Sequence, residues 1–256
     1  MSDEPNVAMV TGASEGVGKA IAERLVQKGY RVAMLARESA KLAEAAGSLG
    51  PTAFPVACDI SRLEDIEHAV AQVYAQGGRI DVLVNCASTT RFGSALALSD
   101  AEWASGFEIK VLGALRLMRA AWPYLARARG AIVNIGGVGA RTPRFAHAMS
   151  GPLSAALSAL TKAFADGGVA DGVRVNQINP GGVMTPRFTD WLRSRAEAEG
   201  RSLDQLLADE AGRLGGFTRY GRPEDVANLV AFLLSPEGEM LQGAIIDLDG
   251  GMTKGL

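Results

Sequence analysis

Short apolar runs rich in β-branched residues alternate along the chain with longer segments in which apolar residues recur at helical spacing. The short runs predict strands at 7–11, 31–36, 54–58, 81–85, 131–135, 174–179 and 244–248. The longer segments predict helices at 17–28, 39–49, 63–76, 101–127, 146–165 and 223–234. Because right-handed crossovers place such helices on both faces of a parallel sheet, we expect one doubly wound, three-layer α/β/α domain with seven strands.

The segment 186–222 departs from this alternation. It contains two amphipathic stretches, 188–198 and 203–214, separated by Glu199, Gly200 and Arg201. Since it follows the strand that ends at Asn179, it is expected at the carboxyl edge of the sheet, where open α/β sheets bind ligands. We interpret it as a lid over a substrate pocket, with a solvated helical hairpin as the alternative.

Composition and charge exclude several classes of protein. The formal net charge is −2, the isoelectric point is near 5.8 and no run of five like charges occurs, so nucleic acid and acidic membranes are not expected partners. Cys58 and Cys86 lie in apolar runs, which argues against a disulfide framework or a metal site. The acidic residues 1–5 do not resemble a signal peptide and no apolar segment is long enough to span a membrane, so we expect a cytoplasmic protein.

The strongest local signal is a glycine-rich turn between the first predicted strand and the first predicted helix. Gly12 would make the tight turn, Gly16 would let the backbone approach a diphosphate, and Gly18 would allow close packing of helix on strand. A helix N-terminus in this position attracts phosphate groups. The candidate phosphate-binding residues of the turn are Gly12, Ser14, Glu15, Gly16, Val17 and Gly18.

The spacing Thr11-Gly12-x-x-x-Gly16-x-Gly18 resembles the nucleotide signature of the short-chain dehydrogenases/reductases. Matches to this family continue along the whole chain, in 58–60, 85–88, 179–186, 221–227 and 249–251. The chain is identified as a member of this family, which implies a Rossmann-type domain that binds a nicotinamide dinucleotide. The resemblance assigns further contacts with the dinucleotide to Asp59, Ile60, Asn85, Ala87, Pro180, Gly181, Val183 and Thr185.

The end of the second predicted strand reads Leu35-Ala36-Arg37 and carries no carboxylate that would bind a ribose 2′-hydroxyl. Arg37 instead suits a 2′-phosphate, so NADP(H) is favoured modestly over NAD(H). Glu15 counts against this preference, because family members that prefer NADP(H) often carry a basic residue there. The alternative for Arg37 is an ordinary surface arginine.

The family's catalytic residues are Ser, Tyr, Lys and an upstream Asn, and the resemblance places four different residues there. Gly137 stands at the Ser position, Ser150 at the Tyr position, Ser154 at the Lys position and Lys110 at the Asn position. No tyrosine of the chain is followed by lysine four residues later. We therefore predict a divergent member in which the usual acid–base pair is absent and standard catalysis does not operate.

Three hypotheses follow. In the first, the chain is still an oxidoreductase acting on a small carbonyl or alcohol, with proton transfer by other groups. The candidate catalytic residues are Lys110, His147, Ser150 and Ser154. Lys110 would project into the space left at Ser154, or else extend to solvent. His147 would lie one turn before Ser150 on the same helix, or else be a surface or interface histidine.

In the second hypothesis, small residues at 137, 150 and 154 widen the pocket for a non-redox reaction or for sensing of the cofactor. In the third, the chain is an inactive partner subunit. Family members commonly associate through the two long helices predicted at 101–127 and 146–165, so a homo-oligomer, either a dimer or a homotetramer, is expected. Fold analogy alone does not decide between these hypotheses.

Overall fold

A computed structural model describes residues 5–37, 39–211 and 219–254. Its seven strands form one parallel sheet in the order β3-β2-β1-β4-β5-β6-β7. The strands are β1 Val7–Thr11, β2 Arg31–Ala36, β3 Ala53–Ala57, β4 Val82–Asn85, β5 Ala131–Ile135, β6 Arg174–Pro180 and β7 Ile245–Leu248. This confirms the predicted Rossmann-type fold.

Helices connect the strands and cover both faces of the sheet. Along the described residues they are α1 Gly16–Gln27, α2 Ala40–Gly47, α3 Leu63–Gly77, α4 Asp100–Phe107, α5 Ala114–Ala128, α6 Ser150–Asp171, α7 Pro186–Ala198, α8 Leu203–Ala211 and α9 Pro223–Leu234. Nearly all of the predicted element ends coincide with these or differ from them by one or two residues. Residues 212–214, which belong to the second predicted stretch of the lid, lie outside the described residues.

Successive side chains of the central strand β1 enter different cores, as the period of a strand requires. Val7 and Met9 belong to the core beneath α3 and α5, whereas Ala8 and Val10 belong to the core beneath α1 and α9. Both faces of β1 are fully buried, which explains why its sequence is a continuous apolar run without alternation.

The predicted helix 101–127 contains a change of winding. A π-helical turn, Glu108–Gly113, joins α4 to α5. Single π-helical turns inside longer helices are often found at functional sites, because the extra residue re-aims a side chain. Lys110 lies in this turn.

The helix predicted at 146–165 begins and ends later than expected. It is α6, and its first residue is Ser150. Residues before it form a loop in which the Ala148 amide donates to the Gly93 carbonyl at 3.2 Å, and His147 bridges to Gly93. A start at residue 146 would also place Pro152 inside the helix, where proline removes a hydrogen bond. The prediction that His147 lies on the same helix as Ser150 was wrong.

The described residues contain neither a membrane-spanning helix nor a cluster of metal-ligating side chains. No helix there has the length and apolar character needed to cross a membrane. No group of three or more histidine, cysteine, aspartate or glutamate side chains is arranged to hold a metal ion.

Candidate active site

A cavity of about 870 Å³ opens at the carboxyl ends of the strands, between the loops that follow β1 to β6 and helix α7. β1 lies between β2 and β4, so the chain reverses its winding direction at this point of the sheet. Ligands of open α/β sheets bind at such a switch point. The position of the cavity therefore follows from the topology.

The glycine-rich turn forms one wall of the cavity and has no room for side chains. Gly12 has a φ of +66°, and a Cβ atom there would lie 3.0 Å from the Ala87 Cα. A Cβ at Gly18 would lie 2.3 Å from the Gly12 carbonyl oxygen, which is shorter than any real contact. The Thr11 hydroxyl fixes the facing loop by accepting from the amides of Cys86 and Ala87 at 2.9 and 3.0 Å.

Helix α1 begins at Gly16 on this wall, and the side chain of its N-cap residue, Glu15, makes no capping hydrogen bond. The amides of the first helical turn therefore keep their donors for another acceptor. An N-terminus with free amides and a partial positive charge suits a phosphate group in the cavity.

The cavity brings together nearly all of the residues that the sequence assigns to dinucleotide binding. Those that line it are Gly12, Ser14, Glu15, Gly16, Val17, Gly18, Arg37, Asp59, Ile60, Ala87, Pro180, Gly181, Val183 and Thr185. Asn85 does not line it. The Asn85 side chain is buried and donates to the Asn134 Oδ1 at 2.8 Å, so it belongs to the polar interior of the sheet.

Charged side chains gather at the end of the cavity near β2. Glu15 forms a salt bridge with Lys41 of α2, a residue that the sequence analysis missed. Asp59 has a lowered pKa, chiefly because Ser61 donates two hydrogen bonds to it, with a smaller contribution from the Arg37 guanidinium. The negative charge of Glu15 is thus balanced by Lys41.

Three small residues meet at the opposite, inner end of the cavity. A Cβ at Gly137 would lie 3.1 Å from the Ser150 Oγ and 3.3 Å from the Ser154 Oγ. Ser150 lines the cavity, whereas Ser154 is fully buried behind it. Among the described residues the Ser154 Oγ has no hydrogen-bond partner. The convergence expected for these positions is therefore present, but Ser154 does not face the ligand space.

Lys110 lies at this inner end. Its side chain is only 6% exposed, lines the cavity, and donates from Nζ to the Gly136 carbonyl at 3.0 Å. Burial lowers the pKa of Lys110 to about 8, the Arg187 guanidinium acts in the same direction, and Cys86 opposes both. Lys110 therefore does not extend to solvent, and it bonds the Gly136 carbonyl, not Ser154.

A polar network beneath the cavity holds the loop that follows β5. The Gln177 Nε2 donates to the Asn179 Oδ1 at 2.7 Å, and the Gly137 amide donates to the same oxygen at 3.2 Å. The Asn179 amide in turn donates to Asp247 at 3.1 Å. Buried polar groups that are satisfied in this way fix a loop in one conformation. The network thus positions Gly136 and Gly137 beside Lys110.

Aromatic rings form the outer wall. Trp191 stacks on Phe92 with ring centres 4.8 Å apart and also contacts His147 at 4.8 Å. Phe188 packs on Trp191 at 5.6 Å, and Tyr220 contacts Phe188 at 5.2 Å. His147 is therefore part of this wall, away from the first turn of α6. Leu192, by contrast, is fully buried between α7 and α8 and does not line the cavity.

The sequence analysis missed several residues of the site, among them Lys41 beside the cavity and Phe92 and Arg187 within its lining. Arg187 donates to the Ser88 carbonyl at 3.1 Å, so α7 contacts the loop after β4. No local pattern singles out these side chains. Only the parallel topology, which brings loops 99 residues apart to one edge, places them together.

The fold and the cavity define a Rossmann-type dinucleotide-binding protein, and comparisons identify its family. The family model described as "Enoyl-(Acyl carrier protein) reductase" matches residues 12–253. The short-chain reductase protein NovJ of Streptomyces niveus is 34% identical over 252 residues, which cover 97% of this chain and 94% of NovJ. The 3-oxoacyl-[acyl-carrier-protein] reductase FabG of Vibrio cholerae is 31% identical over 256 residues, which cover 98% and 99%. The chain belongs to the short-chain dehydrogenase/reductase family.

Solved structures agree with this assignment. A variant of actinorhodin polyketide ketoreductase with NADPH superposes with a TM-score of 0.92 at 29% identity and covers 98% of both chains. L-sorbose reductase from Gluconobacter frateurii, complexed with NADPH and L-sorbose, superposes with a TM-score of 0.93 at 31% identity, covering 99% of this chain and 98% of the other. The similarity thus extends over the complete fold, including the cavity.

Proposed function

We propose that this protein is an NADP(H)-dependent oxidoreductase that interconverts a carbonyl compound and an alcohol, with Lys110 in place of the family's Tyr and Lys acid–base pair. The observation that carries the proposal is the buried Lys110 ammonium at the inner end of a dinucleotide-type cavity, with a pKa near 8. A group that titrates close to neutral pH is suited to give and take protons.

The shape and charge of the cavity support a dinucleotide. The backbone at Gly12 and Gly18 leaves the close approach that a diphosphate needs, and the free amides at the start of α1 would donate to it. Arg37 lies at the adenosine end, where a cation favours the 2′-phosphate of NADP(H) over a 2′-hydroxyl, and Lys41 beside the cavity neutralises Glu15. The two superposed reductases described above contain NADPH.

The family pattern gives this chain no tyrosine acid. Its tyrosines are Tyr30, Tyr74, Tyr124 and Tyr220, and none has a lysine four residues later. The corresponding positions on α6, Ser150 and Ser154, have side chains too short to replace the phenol and the ammonium. We propose that this member therefore moves the proton with a residue from the π-helical turn instead of from α6.

Bound NADP(H) supplies or accepts the hydride. In the direction of reduction, the Lys110 ammonium donates a proton to the carbonyl oxygen as that oxygen gains negative charge. The Gly136 carbonyl accepts one hydrogen bond from the Lys110 Nζ at 3.0 Å and so holds it in place. The other two hydrogens of the ammonium remain available for the substrate. The Ser150 hydroxyl, which lines the same end, would orient the substrate oxygen. In the direction of oxidation the neutral amine accepts the proton.

We further propose that residues 186–222 act as a lid within a single domain. Helix α7 already contacts the opposite rim through the Arg187–Ser88 hydrogen bond and the stacking of Trp191 on Phe92. These contacts cross the mouth of the cavity. If α7 moved so that these contacts broke and formed again, it would expose or cover the inner end of the cavity. In the closed position it would exclude water during proton transfer.

Association of subunits is also part of the proposal. Along the 22-residue helix α6, an exposed row of small residues recurs every four positions, at Ala155, Ala159, Ala163 and Gly167. Such a row lets another helix pack closely. We propose that α5 and α6 form the interface of a homo-oligomer in the cytoplasm. The same surface, together with the absent tyrosine, favours a catalytically inactive partner subunit as the second candidate function.

The test is a nicotinamide absorbance assay over panels of carbonyl compounds and alcohols. We expect turnover by the natural protein, a loss of about 10²–10⁴ in Lys110→Met, and no loss in Lys162→Met, since Lys162 is exposed on α6. NADPH should raise the Tm more than NADH, and Arg37→Ser should reduce that difference. Turnover only after the double change Ser150→Tyr and Ser154→Lys would overturn the proposal in favour of the inactive subunit.

A further inference from the structure

The substrate half of the cavity has a charge pattern that differs from the rest of the protein. The chain has a formal net charge of −2, yet four arginines and no carboxylate line this half. The carboxylates in the cavity lining, Glu15 and Asp59, are at the dinucleotide end. The cations of the substrate half are Arg91, Arg144, Arg187 and Arg195.

Two of these arginines, Arg91 and Arg187, line the same cavity and interact electrostatically. Arg195 pairs with Glu199 at 2.7 Å, but no salt bridge within the described residues includes Arg91 or Arg187. Both residues are exposed to solvent, and the Arg187 guanidinium also acts electrostatically on Lys110. Like charges gathered in one cavity are unfavourable until an anion binds between them.

Other charges do not remove this excess. Arg91 is within electrostatic reach of Glu102, but Glu102 does not line the cavity, and its carboxylate is bound by the Ser99 amide and hydroxyl at the start of α4. Glu15, which acts on Arg187, is already paired with Lys41. The cavity centre therefore keeps a net positive charge on its substrate side.

Rings lie on the other side of the same space. Phe92, Trp191 and Phe188 are mutually 4.8 to 6.0 Å apart and all line the cavity. Because each ring is within reach of both of the others, Phe92 and Phe188 do not sandwich Trp191 from opposite faces. A flat apolar group can pack against such a wall.

We propose that the substrate is an aromatic oxo acid, whose carboxylate binds between Arg91 and Arg187 and whose ring packs against Phe92 and Trp191. The proposal rests on the proposed function, since the oxo group must reach Lys110. Arg187 and Lys110 line the same cavity and are within electrostatic reach of each other, so a carboxylate bound at Arg187 would lie on the same side of the cavity as the proposed proton donor. A carboxylate of the substrate itself fits this position, whereas the phosphate of a long pantetheine carrier would lie far outside it.

The experiment is isothermal titration calorimetry on the protein saturated with NADP⁺, which cannot reduce the probe. The probes are benzoylformate, its uncharged methyl ester, pyruvate and acetoacetyl-coenzyme A. We expect benzoylformate to bind at least about tenfold more tightly than either its ester or pyruvate. The ester loses the charge-assisted bonds of the carboxylate, pyruvate loses the ring contact, and each loss costs about that factor in affinity.

Variants assign the effect to residues. Arg91→Gln and Arg187→Gln should each bring the affinity ratio of acid to ester towards one, and Trp191→Ala should weaken benzoylformate but not pyruvate. Arg193→Gln is the matched control on α7, because Arg193 is exposed and pairs with Asp190 at 3.0 Å. In that variant the affinity ratio should not change.

Several outcomes would overturn the proposal. They are equal binding of acid and ester, no binding of benzoylformate, tighter binding of the coenzyme A thioester, or an Arg187→Gln variant that loses affinity for NADP⁺ alone. If benzoylformate binds as described but the protein never oxidises NADPH, the substrate class stands and the proposed redox function fails. The two failures are therefore distinguishable.

Discussion

Lys110 is a lysine held where its positive charge is costly. Its side chain is nearly inaccessible, its bonding partner is a neutral carbonyl, and Arg187 adds repulsion. An ordinary structural lysine would extend its ammonium to water. The chain therefore spends folding stability to keep this charge in the cavity, as active sites commonly do.

The cost has a measurable pH dependence. The pKa of Lys110 is lower in the folded protein, about 8, than its ordinary value of 10.5. Between these values the unfolded chain binds one more proton, so stability should rise with pH. Relative to Lys110→Met, the free energy of unfolding of the natural protein should increase by about 3 kcal/mol across this range.

Urea unfolding at several pH values measures this difference, with Lys162→Met as the control that should show no such change. A constant difference between the natural protein and Lys110→Met would show that Lys110 keeps its ordinary pKa. The sequence indicated Lys110 as a candidate, but its burial depends on packing of the π-helical turn against α6 and on the loop after β5, which no local pattern encodes.

Helices and loops were predictable where one local rule dominated. The turn from β1 into α1 was predicted correctly because a side chain at Gly12 or Gly18 would collide with the backbone, so only glycine fits there. The start of α6 was not, since residues 145–149 carry apolar side chains at a spacing that also suits a helix. There the long-range bridge to Gly93 determines the loop, and such contacts are invisible in a local pattern.

Helix α6 also carries the prediction on assembly. Ala159→Arg places a long charged side chain in the middle of the exposed row of small residues and should shift the protein from oligomer to monomer. Ala71→Arg, an identical change at an exposed position of α3, is the control. Light scattering after size-exclusion chromatography measures the mass; an unchanged mass for Ala159→Arg would remove α6 from the interface.

At the scale of the whole molecule, the strand topology predicts where the cavity lies, and the composition does not. The strand order places the glycine turn, the β5 loop and helix α7 at one edge, and nearly all of the residues that the sequence assigns to the dinucleotide line the cavity there. The substrate end did not, because Phe92, Arg187 and Trp191 come from separate loops whose contacts depend on tertiary packing. Substrate binding at this end of the cavity therefore depends on tertiary contacts that no sequence motif indicates.

The central claim is that Lys110 moves the proton in a reaction of carbonyl reduction. The most direct measurement is the pH dependence of kcat/KM for NADPH-dependent reduction in the natural protein and in Lys110→Met. As the acid, Lys110 must be protonated, so kcat/KM should be constant below about pH 8 and fall above it. In Lys110→Met, kcat/KM should be much lower, and this decrease above pH 8 should be absent. If Lys110→Met kept the kcat/KM of the natural protein and the same pH dependence, another group would have to move the proton.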